Sequence, residues 1–287
     1  MDACALARLT VRSGPELRGT MSAMPPVRLT PAQARALGDD YLARMRRCVP
    51  WSPAIPWAPK LDFIGDTYDV LELFPGVVAS DAPVHALEPG QYVDSPTRRF
   101  RYCVRLHRAG TPLLTWWGAE VGTVIFDSDV IIPALYQARD EDDGESPWND
   151  APWMSLTPAE IMTLRPGTRQ ARGKVIIAGL GLGHQLIEVS KRLQGKRIVV
   201  VEIDAELVDW ILPVIRPHVR KPLEVVIGDA FEVIPTLTGD VALIDTFPGY
   251  GDGFRVVDGL ARRSPGIKKF WGWGTSEMTG LRQRDEG

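Results

Sequence analysis

The sequence predicts an α/β fold, a mostly parallel sheet with helices on both faces, preceded by a smaller β-rich domain. Three observations carry this. Downstream of residue 174, the apolar runs KVIIA, RIVVV, LEVVI and VALI alternate with helical stretches. Upstream, residues 60–135 read instead as strands separated by turn residues. The chain has 287 residues, 45% hydrophobic and 24% charged, enough to bury a core in one large or two small domains.

In chain order, residues 1–24 show no sustained period, and 1–27 are expected to be a disordered leader, with Met21 and Met24 as alternative starts. A domain over 28–150 should open with a helix. Thr30 can cap it, Pro31 suits the first position and Gln33 can reach back, after which Ala34, Leu37, Tyr41 and Met45 recur at helical spacing. Pro50, Pro53, Pro56 and Pro59 then suit an extended strap. Strands are expected over 100–106, 113–117 and 121–126, the first two joined as a hairpin across residues 108–111. The acidic run over 139–145 misses the calcium-loop pattern and reads as a solvated loop.

The second domain spans 151–287. Thr157 and Glu160 form a capping-box pattern for a short helix ending at 165–167. Strands follow over 174–178, 197–201, 223–227 and 241–244. Helices lie between them over 184–193, from the cap Asp204 to about 212, and over 231–237. Gly195 is read as the stop of the first of these helices. One helix over 253–263 and one strand over 268–273 complete the chain, a C-terminally shortened version of such a sheet.

Composition excludes several classes. The formal net charge is -3, so no basic excess marks a dedicated nucleic-acid or membrane-surface binder. Cys4, Cys48 and Cys103 are odd in number and far apart, which excludes a disulfide framework or a cysteine zinc site. His85, His107, His184 and His218 lack metal spacing, so no metal is expected. Without a membrane-spanning run or a continuous apolar leader core, a reducing, cytoplasmic setting is expected. Arg98, Arg99, Arg101, Arg105 and Arg108 read as a solvated face or, alternatively, a polyanion site.

In a parallel sheet, ligands bind outside the carboxyl ends of the strands. The first strand runs into Gly179, Gly181 and Gly183, with His184 opening a helix. Glycines allow a tight turn and close approach of a ligand to the backbone, and the helix start favours negative charge. The G-x-G-x-G spacing departs from the G-x-G-x-x-G dinucleotide fingerprint and disfavours nicotinamide or flavin. Glu202, about 20 residues beyond the loop, suits hydrogen bonds from ribose hydroxyls. As a strand-end acid it should support no core. At the third strand end, Asp229 can accept from an adenine amine beside Ala230, or cap the next helix. Asp245 ends the fourth strand, followed by Phe247 and Tyr250, which can stack on a flat substrate or serve as cover.

The segment 174–245 resembles the class I, Rossmann-like S-adenosylmethionine-dependent methyltransferases. The matching residues are Gly179, Gly181, Gly183, Glu202 in VVVEID, Asp229 in VIGDAF and Asp245 in ALIDTFP. The β-rich domain ahead of them resembles the spermidine-synthase-like subgroup. The resemblance implies S-adenosylmethionine as cofactor, with Gly179–Gly183 on its methionine part, Glu202 on ribose, and Asp229 with Ala230 on adenine. Asp245 then sits by the transferring group as the catalytic candidate. Two alternatives stand beside methyl transfer: a non-catalytic binding protein, and an aminopropyl transferase, for which the loop after Asp245 offers only Asp252. The acceptor is open among small molecule, protein and nucleic acid.

Overall fold

The computed structural model describes residues 11–13, 48–50, 73–117, 120–125, 129–139, 147–149, 151–246 and 254–273. Outside these lie most of the leader, the helix expected after Pro31, the proline strap beyond Pro50, the acidic run beyond Arg139, and Phe247 and Tyr250.

The first strands are β1 (Val11–Ser13), β2 (Cys48–Pro50), β3 (Tyr92–Asp94), β4 (Phe100–His107), β5 (Pro112–Trp117), β6 (Glu120–Ile125), β7 (Val130–Gln137) and β8 (Met154–Ser155). They build a four-stranded antiparallel sheet, β3-β4-β7-β8, and a three-stranded sheet, β2-β6-β5. The hairpin expected between residues 100–106 and 113–117 does not form. β4 pairs with β7 along its whole length, from Phe100–Gln137 to His107–Val130, while β5 pairs with β6. The turn after β4 explains the switch. Asp129, just ahead of β7, accepts from Ala109 N–H at 2.8 Å and from Arg108 Nη1 at 3.1 Å. That bonding ties the turn to β7 rather than to β5.

The arginines on this sheet are bound to the chain's own acceptors. Arg101 pairs with Asp94 at 2.7 Å, Arg108 with Asp81 at 2.9 Å, and Arg105 donates to the Ala82 carbonyl at 2.6 Å. Arg99 reaches Asp204 at 2.6 Å, across to the second half of the chain.

That half begins with α1 (Pro158–Gln170). The helix was expected to stop at 165–167, yet it runs through Pro166 to Gln170. Pro166 forfeits one helical hydrogen bond. Packing outweighs the loss, because Gly167 lies flat on Trp271, where a Cβ would meet the indole at 2.4 Å.

Next come β9 (Gly173–Ala178), α2 (His184–Lys191), β10 (Gly195–Glu202), α3 (Ala205–Ile215), β11 (Leu223–Ile227), α4 (Ala230–Val233), β12 (Val241–Ile244), α5 (Phe254–Arg263) and β13 (Phe270–Gly272). Gly195 thus opens a strand rather than closing a helix. Asp204 caps α3 as expected, its carboxylate accepting from Leu207 N–H at 3.1 Å. The sheet order is β1-β11-β10-β9-β12-β13, every pairing parallel, a Rossmann-like arrangement. Val11–Ser13, within the span read as a leader, supplies its edge strand.

Both faces of this sheet are buried, which is why its strands are apolar throughout. Val175, Ile177, Ile198 and Val200 share one core with α2 and α3, and Ile176, Ala178, Val199 and Ile244 share another with α5. The first core also takes in Phe100, Tyr102 and Leu135, so the antiparallel sheet and the α/β half are packed through one continuous apolar cluster. The chain leaves β9 toward β10 on one side and returns on the other through β12. The crevice therefore opens at the carboxyl end of β9.

Candidate functional site

At that end, Gly179, Gly181 and Gly183 have φ of +92°, +54° and +79°. Each is glycine for a second reason. A Cβ would lie 2.7 Å from the Asp245 carbonyl oxygen at Gly179, 3.0 Å from Met154 Sδ at Gly181, and 2.3 Å from Ile215 Cδ1 at Gly183. The loop is thus clamped between β12, the antiparallel sheet and α3.

Glu202 fastens the same loop from below. Its Oε2 accepts from Leu180 N–H at 2.7 Å and its Oε1 from Asp204 N–H at 3.0 Å. Only 5% of the residue is exposed. The expectation that this acid faces a cleft and supports no core is therefore corrected: it is buried and joins the glycine loop to the start of α3. Burial raises its carboxyl above the ordinary value, and the backbone N–H groups oppose that shift.

Above the loop is a cavity of about 640 Å³. Gly179, Gly181, Gly183, Glu202 and Asp245 all line it. Asp229 and Ala230 are not among the lining residues. Asp229 caps α4 through Phe231 N–H at 2.8 Å, the alternative kept open for it, and Ala230 packs in the far core. Gly228 N–H donates to the Glu202 carbonyl at 2.9 Å, so Asp229 still stands at the neighbouring strand end.

Sequence reasoning assigned Glu160 only to capping. Its N–H does donate to Thr157 Oγ1 at 3.3 Å. The side chain reaches back not to Thr157 but to Ser155, accepting from N–H at 3.2 Å and Oγ at 3.3 Å. β8 and the first turn of α1 thus hold it in the cavity wall near Asp245. Burial, and then the charge of Asp245, push the Glu160 carboxyl up to about 8, and burial pushes Asp245 up to about 7.

Two further residues were missed. Gln185, on the first turn of α2, lines the cavity and is 7% exposed, yet among the described residues neither its carbonyl nor its amide has a hydrogen-bond partner. Trp273 forms part of the apolar wall, anchored by its indole N–H on Thr163 Oγ1 at 2.9 Å. An apolar-rich helix start and a C-terminal tryptophan carry no sequence signal for a site. His184 also lines the cavity, and burial lowers it to about 4, so it is neutral at physiological pH. Among the described residues, no three His, Cys, Asp or Glu gather as metal ligands, and no helix is long and apolar enough to cross a membrane.

No protein-family model and no curated protein matches the sequence. Solved structures resemble part of it. One is a dimethyladenosine transferase from Plasmodium falciparum, 16% identical over 37% of this chain and 36% of that one, TM-score 0.30. A second is an S-adenosylmethionine-dependent methyltransferase from Thiobacillus denitrificans in complex with S-adenosyl-L-homocysteine, 21% identical over 39% and 47%, TM-score 0.30. A third is an O-methyltransferase from Bacillus cereus, 18% identical over 38% and 52%, TM-score 0.30. The matched region spans about a third to about half of those chains.

Proposed function

We propose that this cavity binds S-adenosylmethionine and that the chain is a methyltransferase. One observation carries the reading: the glycine loop from β9 and Glu202 from β10 meet on the wall of a single cavity at the switch point of a parallel sheet. The residues fit such a ligand. Gly181 presents backbone where a side chain would intrude. The Glu202 carboxylate accepts from backbone N–H groups and still has accepting capacity for a ribose hydroxyl.

The cofactor, when bound, supplies an electrophilic sulfonium methyl. The chain's own work is positioning, which can contribute several kcal/mol (about 7–11 at the upper end). Glu202 orients the ribose. Asp245, with its carboxyl near 7, holds or removes a proton on the acceptor's nucleophilic atom. The apolar wall, including Leu156, Leu164 and Trp273, excludes water.

Calorimetry provides the first test. S-adenosylhomocysteine should bind, and NAD should give no measurable heat, because the loop lacks the third glycine of the pyrophosphate fingerprint. Binding of NAD with no response to S-adenosylhomocysteine would overturn the reading.

Glu202→Ala should act twice. Loss of hydrogen bonds to a charged group should weaken S-adenosylhomocysteine by about 1.5–3 kcal/mol. The orphaned N–H groups of Leu180 and Asp204 should also cost about 1–3 kcal/mol of stability, read from denaturant melts. Unchanged affinity in a folded variant would remove Glu202 from the ribose site.

A further inference from the structure

We propose that the acceptor site of this cavity is built for an ammonium ion carrying an apolar tail, held by Glu160, Asp245 and Gln185. The proposal deepens the methyltransferase reading and rests on it. Three elements converge here. Glu160 lies on the first turn of α1, Asp245 at the end of β12 and Gln185 on the first turn of α2, and α1 packs against both α2 and β12. All three residues line the one cavity.

Two half-buried carboxylates on the wall of one cavity repel, and their mutual charge favours a proton or a cation between them. An ammonium group answers both acids and brings three N–H donors; passing one of those protons to the Asp245 carboxylate frees the nitrogen lone pair that would take the methyl as the S–C bond breaks. The third acceptor is the Gln185 carbonyl, which finds no donor among the described residues although the side chain is buried. A buried amide left unmatched costs free energy, so this one points to a ligand.

The rest of the wall restricts the group attached to the charge. Leu113, Trp153, Leu156, Leu164 and Trp273 are apolar. The other ionisable groups facing the cavity are His184, neutral through burial, and Glu202, which is tied to the glycine loop and assigned to the ribose. Among the described residues there is thus no second acid pair for the far end of a diamine. The geometry selects a monoamine with an aliphatic or aromatic tail.

The probe pair is 2-phenylethylamine and its neutral analogue 2-phenylethanol, titrated into the full chain with and without S-adenosylhomocysteine. The amine should bind at least tenfold more tightly than the alcohol. Raising the pH from 6 to 8.5 should strengthen the amine severalfold, because Asp245 and then Glu160 ionise over that range while the amine, with a pKa near that of lysine at about 10, stays charged. Glu160→Gln keeps an acceptor for Ser155. It should weaken the amine tenfold or more and leave S-adenosylhomocysteine within about twofold, and Asp245→Asn should do the same.

Equal binding of amine and alcohol, or amine affinity unchanged in both variants, overturns the proposal. So does absence of amine binding in a protein that binds S-adenosylhomocysteine. Amine binding that responds to both substitutions, in a protein that ignores S-adenosylhomocysteine, supports the ammonium site and sinks the methyl-donor reading alone.

Discussion

Gly179→Ala should destabilise the protein by about 2–5 kcal/mol and abolish S-adenosylhomocysteine binding. Two costs add. At φ +92° an alanine sits in the left-handed region, where a side chain costs about 1–2 kcal/mol. Its Cβ would also lie 2.7 Å from the Asp245 carbonyl oxygen, a backbone atom that no rotamer change can move aside. Overpacking of this kind costs about 1–3 kcal/mol. The strain falls between the ends of β9 and β12, where Asp245 N–H donates to the Ala178 carbonyl at 3.3 Å. Prying these ends apart displaces Asp245 and the loop together, so the cavity loses two of its walls.

Gly181→Ala is the internal control. Its Cβ meets Met154 Sδ at 3.0 Å, the flexible part of a side chain that can yield. Differential scanning calorimetry should show a markedly larger fall in Tm for Gly179→Ala than for Gly181→Ala. Equal, small shifts would mean that the loop is not clamped against β12.

The legible parts of the sequence are those that local chemistry can encode. The strands over 223–227 and 241–244 match because an apolar run between turn residues has few other readings once both sheet faces are buried. The caps at Thr157 and Asp204 match because a side-chain oxygen at that position satisfies an otherwise orphaned N–H. The errors fall where a distant partner decides. The hairpin failed because Asp129, twenty residues away, captures the turn at Ala109. The end of α1 failed because Trp271 packs on Gly167 and outweighs the proline. Capping explains Glu160 from its neighbours in sequence, while its nearness to Asp245 exists only in the folded chain. Glu202 stands at the expected strand end, but its bonds to Leu180 and Asp204 depend on how the loop folds back over β10.

Asp245→Asn should separate chemistry from binding. The two side chains are nearly isosteric, so S-adenosylhomocysteine affinity should stay within about twofold. Asn cannot take a proton, and loss of a general base typically lowers turnover by about 10²–10⁴-fold. Assayed against amines with apolar tails, and in parallel against peptides and nucleic acids, the variant should transfer no detectable methyl where the wild type does.

Stability supplies an independent sign. Burial raises Asp245 to about 7 in the folded chain, against an unfolded value of about 3.9. Below pH 4 both states hold the proton and the residue is neutral to folding. Between about pH 4 and 7 the unfolded state ionises while the folded state keeps its proton, so folding is increasingly penalised. Above about 7 the penalty is complete. Asn escapes it, so Asp245→Asn should melt near the wild-type temperature at pH 4 and above it at pH 8, by several degrees for a gain of about 2 kcal/mol. Fallen affinity would instead make Asp245 a cofactor ligand, and an unchanged pH profile would show that its carboxylate is solvated. Lost turnover with retained affinity and a stability gain confined to high pH would assign the proton to Asp245, because a merely structural aspartate would lose stability on amidation.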